Sequence, residues 1–188
     1  TLSIQRYGQN ERTLFSFLEA TGQGSLQSFV EGKHTTYSLA EVYDYDIYNF
    51  YSYLSEINAD SAAWTSIRVS LERVEGLFEG DIATAAIALV KTIGMINLFG
   101  KAGVQLDKKA LSIYARTALG INTPGDIIDL LTQHKIIRYA TYKSQYILFE
   151  GTDVNIEGEL LKAAGIVPRS KDVIDKLLTN FNLPIEFA

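Results

Sequence analysis

The sequence contains no cysteine, only two histidines, three prolines and one methionine in 188 residues. Without cysteine there are no disulfides, no thiolate metal sites and no thiol nucleophile, and the absence fits a reducing compartment. The expected location is the cytoplasm. His34 and His134 have no ligand-spaced partner, which removes the usual zinc patterns. An excess of positive charge is also missing: 17 Lys and Arg against 22 Asp and Glu leave a net charge of -5. A chain of that balance is poorly suited to neutralising phosphates along a nucleic acid. No serine or threonine stands in a nucleophile-elbow sequence, and no acid-base pair can be assigned, so a stand-alone enzyme is the weakest reading. The chain starts at Thr1, shows no basic-then-apolar leader and ends without a targeting signal, and it reads as a piece of a longer protein.

One long apolar run is present, "DIATAAIALVKTIGMINLF" at 81–99. About 20 apolar residues would cross a bilayer. Thr84, Lys91, Thr92 and Asn97 interrupt this run and the flanking chain is polar, so the prediction is a central helix packed on all sides, with no membrane partner.

With 47% of its residues hydrophobic, the chain can bury a core as one domain or two small ones. Asn10 followed by Glu11 reads as a helix cap ahead of Leu14, Phe17 and Leu18. From Ser38 the positions Leu39, Tyr43, Ile47, Phe50, Leu54 and Ile57 recur at steps of three and four, which predicts a second helix. Asp60 and Ser61 cap a third, with Trp64, Ile67, Leu71 and Val74 inward. Leu106 before a cap at Asp107 can staple onto Leu111, and Gly120 supplies the stop. Thr123 caps the next helix with Pro124 in its first position and Ile127, Leu130 and Leu131 facing inward. "IIRYATYKSQYILFE" then alternates as a β-hairpin whose turn lacks glycine.

The expected fold is therefore mainly α: a helical bundle over 1–80, a unit of three helices plus one β-hairpin over 81–150, and C-terminal helices near 154–164 and 170–180 within 151–188. Helix, helix, helix, hairpin is the order of a winged helix. Its expected core includes Ile93, Leu111, Ile127, Leu131, Tyr139 and Leu148.

Two segments come near known motifs. "GMINLFGKA" at 94–102 suggests a phosphate loop, but its glycines are one residue too far apart, Ala102 stands where a hydroxyl would bind magnesium, and it ends a helix instead of opening one. "DVNIEG" at 153–158 copies the start of a calcium loop, yet the twelfth position is Ala164. Structural readings win in both.

The tyrosines are the compositional oddity: five of the 11 stand at 43, 45, 48, 51 and 53. Tyr43 and Tyr53 belong to the expected core face, leaving Tyr45, Tyr48 and Tyr51 on other faces beside Asp44 and Asp46. Stacking on bases is one use of such rings, but the neighbouring carboxylates oppose a polyanion, so a protein-contact patch is the better functional reading and cover for a neighbouring helix the plainer one. For a nucleic-acid reading the candidate contacts are Arg138 and Lys143 on the hairpin, set against Asp126 and Asp129 on the third helix of the unit.

Four segments carry a family resemblance: "GQNERTLFSFL" at 8–18, "EVYDYD" at 41–46, "LVKTIGMINLFG" at 89–100 and "IIRYATYKSQYILFEGTDVNIE" at 136–157. Together they resemble a block that follows the nucleotide-binding domain in large bacterial P-loop ATPases of the AAA/STAND kind, some of them associated with phage defence. Phe149 and Thr152 replace a Trp and a Ser of that pattern, keeping aromatic bulk and hydroxyl. The resemblance implies a non-catalytic regulatory or adaptor segment that relays nucleotide state or binds a partner, with the upstream ATPase domain as first partner and other proteins or self-association as further ones. ATP and magnesium would belong to the parent protein, and this segment itself would hold no cofactor. It also implies a role for Arg12, at the start of the first helix, in sensing a nucleotide phosphate in that parent; a surface arginine paired loosely with Glu11 or Glu19 is the plain alternative.

Overall fold

The computed structural model describes residues 17–18, 24–31, 36–55, 60–101 and 103–149, with no side chain described at 28 or over 49–55. The chain divides into two compact units, Thr1–Glu150 and Gly151–Ala188. The second unit lies outside the described residues, and with it the expected C-terminal helices and the calcium-like segment. The cap at Asn10, Arg12 and His34 lie outside them as well.

The described chain is mainly helical, with six α-helices and one two-stranded antiparallel sheet. The helices are α1 (Leu26–Glu31), α2 (Leu39–Ser55), α3 (Ser61–Leu77), α4 (Gly80–Phe99), α5 (Lys108–Ala118) and α6 (Pro124–Gln133). The strands β1 (Ile137–Ala140) and β2 (Gln145–Leu148) follow, joined by a 3-10 turn at Thr141–Lys143.

Helix α2 opens with a capping box that the sequence carries as Ser-x-x-Glu. The Ser38 backbone N–H donates to Glu41 Oε2 at 2.6 Å, the Ser38 hydroxyl bonds the same carboxylate, and Ala40 N–H donates back to Ser38 Oγ at 3.2 Å. These bonds satisfy amides that a helix start leaves unpaired. A further one, Leu39 N–H, donates to the Tyr114 hydroxyl of α5 at 2.8 Å, which ties the first helices to the later ones.

Helix α4 is the hub, packed by α2, α3, α6 and β2. Ala86, Leu89, Val90, Thr92, Ile93, Gly94, Met95 and Leu98 are buried on it, and the run from Thr92 to Met95 covers nearly a full turn. Among the described residues α4 is the one helix long and apolar enough to cross a membrane by length and composition. Here its C-terminal half is enclosed by protein. Its buried Thr92 hydroxyl is satisfied by the Ala88 carbonyl at 2.8 Å.

Asp107 caps α5 through a bond from Ala110 N–H at 2.7 Å, as the sequence predicts. Gly120, at φ +67, then turns the chain out of α5. Thr123 occupies the cap position of α6 with Pro124 behind it, but its hydroxyl accepts no capping bond. On α6 the fully buried side chains are Ile128 and Leu131; Ile127 is also buried, while Leu130 is only partly covered.

In the hairpin, Ile137 pairs with Leu148 and Tyr139 with Tyr146. Ile137, Tyr146 and Leu148 are buried, whereas Tyr139 is 40% exposed and stands outside the core expected for it. Its ring meets Tyr146 edge-on at 5.4 Å. Ser144 takes the left-handed conformation (φ 52) that glycine usually supplies, which is how a turn without glycine closes. Leu106, between α4 and α5, bridges β2: its N–H donates to the Ser144 carbonyl and its carbonyl accepts from Tyr146 N–H, both at 3.0 Å.

Candidate functional site

A cleft of about 210 Å³ opens between α3, α4 and the hairpin. Its floor is apolar, formed by Ala63, Ile67, Gly94, Ile147 and Leu148, and its polar groups are Ser66, Asn97, Arg138, Tyr142 and Lys143. No aspartate or glutamate lines it. The two candidate cations of the sequence are thus brought to one place. β1 carries Arg138, opposite Ile147 in register, and the 3-10 turn carries Lys143.

The Arg138 guanidinium makes no hydrogen bond or ion pair with any described residue. The Lys143 ammonium lies 5.5 Å from the centre of the Tyr142 ring, a cation–π contact at an exposed position. Asn97 donates through Nδ2 to the Tyr146 carbonyl at 3.1 Å, which pins α4 to β2 and leaves its second amide proton spare. Ser66 Oγ is buried and has no hydrogen-bond partner among the described residues. Ser66, Asn97 and Tyr142 carried no signal in the sequence: each sits in an ordinary helix or turn position, and only packing brings them together.

The tyrosine patch is smaller than its spacing suggests. Tyr45, read as a protein contact or as cover for a neighbouring helix, is 2% exposed, with the Phe17 ring edge-on against it at 5.0 Å and Gly24 alongside. Burial is the main cause that raises its phenol pKa. Tyr48 is 59% exposed and remains available for contact. The side chain of Tyr51 lies outside the described residues. Beside them, Asp44 is engaged by Lys91 of α4 at 2.6 Å.

Helix α6 turns Asp126 and Asp129 to solvent, and Asp129 is ion-paired with Lys108 of α5. That bond raises the Lys108 pKa. At the other end of α6, Arg73 of α3 donates to the carbonyls of Lys135 (3.0 Å) and His134 (3.1 Å). His134 itself packs edge-on against Phe78 at 5.2 Å. Among the described residues no group of His, Asp and Glu side chains is placed to hold a metal ion.

Gly94 and Gly100, which made 94–102 look like a phosphate loop, have structural work instead. Gly94 is buried where α3 crosses, and Gly100 N–H closes α4 on the Ile96 carbonyl at 2.7 Å. No protein-family model matches the chain, and no curated protein or solved structure matches it.

Proposed function

We propose that this chain is a non-catalytic regulatory or adaptor segment of a larger P-loop ATPase of the AAA/STAND kind, and that α4, α5, α6 and the hairpin act in it as a winged-helix-like unit. The four segments that resemble, in the same sequence order, the block beyond such motors support the setting. In this reading ATP and magnesium are handled by the upstream domain of the parent protein, and the segment relays nucleotide state or makes protein contacts in the cytoplasm.

The observation that carries the choice over a DNA-binding winged helix is the charge on α6. In the DNA-binding mode this third helix would enter the major groove. A duplex would there meet Asp126 and Asp129, and the nearby Lys108 is already engaged by Asp129. An acidic helix face and an exposed Tyr48 suit a protein partner better.

The test uses the parent protein. Arg12→Ala is expected to impair ATP turnover or nucleotide-dependent assembly without lowering the melting temperature, and a generic duplex is expected to give no anisotropy change at physiological salt. Unaltered turnover and assembly would remove Arg12 from nucleotide sensing. Salt-sensitive micromolar duplex binding, lost on Arg138→Ala with Lys143→Ala, would establish the DNA-binding reading in its place.

A further inference from the structure

We propose that the cleft between α3, α4 and the hairpin binds the phosphate group of a small phosphomonoester, with Arg138 and Lys143 supplying the charge and Ser66 a buried hydrogen bond. The inference is independent of the ATPase reading, since it rests on the cleft alone.

Three features point the same way. The first is charge: two cations face a cleft lined by no carboxylate, in a protein whose net charge is -5. Among the described residues Lys91 is ion-paired with Asp44, Lys108 with Asp129 and Arg68 with Glu72. Arg138 has no such partner among them. A guanidinium fork beside a compact ammonium suits an oxyanion, and two positive charges match a dianionic monoester better than a single carboxylate.

The second is Ser66. The helical threonines Thr65, Thr84, Thr92, Thr117 and Thr132 all turn their hydroxyls back onto the carbonyl four residues earlier. Ser66 does not, although its Oγ is shielded from solvent, where an unmade hydrogen bond is costly. The residue lines the cleft, and since its hydroxyl holds no bond in the present rotamer, a turn about χ1 would present it to a ligand oxygen there.

The third is size and floor. A volume of about 210 Å³ equals about seven waters at roughly 30 Å³ each, more than the five heavy atoms of a phosphate group need. The remaining space is bounded by Ala63, Ile67, Ile147 and the Tyr142 ring, which offer apolar cover to a small organic substituent.

The experiment is calorimetric titration of the 188-residue chain with phenyl phosphate, and with inorganic phosphate, phenol and a generic DNA duplex as comparison probes. Saturable binding of phenyl phosphate is expected, tighter than that of inorganic phosphate, with none to phenol. Lys143→Gln, at an exposed turn, and Arg138→Gln should each weaken it by about tenfold or more, the range of one charge-assisted hydrogen bond. Ser66→Ala should weaken it by a smaller factor with the melting temperature unchanged. Because the second phosphate pKa is about 6, affinity should fall as pH is lowered through that value. Phenyl phosphate binding that survives Lys143→Gln, equals that of phenol, or is outcompeted by duplex with a steep salt dependence would overturn the proposal.

Discussion

Ile67 on α3 lies so close to Gly94 on α4 that a Cβ added at Gly94 would stand 2.5 Å from Ile67 Cγ1 and 2.7 Å from its Cδ1. The near atom is Cγ1, at the base of the side chain, so a rotation of the tip does not clear it. Ile67 is 1% exposed and Gly94 is buried on α4, so the helices meet closely at this point. Gly94→Ala should therefore lose stability: overpacking costs roughly 1–3 kcal/mol, against a helix-propensity gain of about 1 kcal/mol. A net loss of about 1 kcal/mol in urea denaturation is expected. Combined with Ile67→Ala, the loss should be smaller than the sum of the two single changes. A Gly94→Ala protein more stable than the parent would show that the helices can move apart freely.

Leu131 and Tyr139 separate what the sequence shows from what packing adds. Leu131 is 0% exposed and Tyr139 40%. Leu131→Ala should cost about 2–5 kcal/mol, whereas Tyr139→Ala should cost well under that because its ring, edge-on to Tyr146, is largely open to water already. Equal losses for the two, measured by chemical denaturation, would place Tyr139 back in the core.

Helix positions were legible because a 3.6-residue period survives in Trp64, Ile67 and Val74, and in Ile127 and Leu131, all of them buried. The caps at Asp107 and Gly120 were legible from single residues whose chemistry has few other uses. Tyr139 was misjudged because period-two alternation fixes the face of a strand but not how far the cover extends along it. Tyr45 follows the plainer of its two readings, a covered ring, but what covers it was not legible, since Phe17 and Gly24 lie far away in sequence. The cleft was visible only as Arg138 and Lys143; Ser66 and Asn97 lie on two other helices, and no local pattern links them to the hairpin.

Buried phenols predict an alkaline limit to stability. Tyr43 is pushed up from 10.0 to about 12, first by burial and then by Asp44, with Arg68 opposing. Tyr37, Tyr45, Tyr114 and Tyr146 are raised in the same direction, each mainly by burial. The folded protein thus holds these protons after the unfolded chain has begun to release them. Their contribution is fully present below pH 10 and is lost as pH rises toward about 12 for Tyr43. Unfolding followed by tyrosinate absorbance should show stability falling across that window, less steeply in Tyr43→Phe. A flat profile there would mean these rings are open to water.

The C-terminus of α6 predicts two changes of opposite sign. Lys135 holds φ 53 there, the left-handed conformation in which helices most often place glycine, while its N–H donates to the Thr132 carbonyl at 3.0 Å. A side chain in that region is strained by roughly 1–2 kcal/mol, partly offset in any glycine variant by greater freedom of the unfolded chain. Lys135→Gly should therefore stabilise by about 0.5–1 kcal/mol. Arg73 acts on the same turn from α3, its two terminal nitrogens donating to the Lys135 and His134 carbonyls at 3.0 and 3.1 Å. These carbonyls form the negative end of the helix dipole, so the cation adds attraction to the hydrogen bonds. Arg73→Ala should cost about 1 kcal/mol, below the roughly 1.5–3 kcal/mol of charged hydrogen bonds because the contact is exposed, and Arg73→Lys should recover only part of it, since an ammonium cannot span both oxygens as a planar fork does. Thermal and urea denaturation of the three variants measure this directly. Destabilisation by Lys135→Gly, or full recovery in Arg73→Lys, would mean that the turn is held by something other than the strained residue and the guanidinium fork.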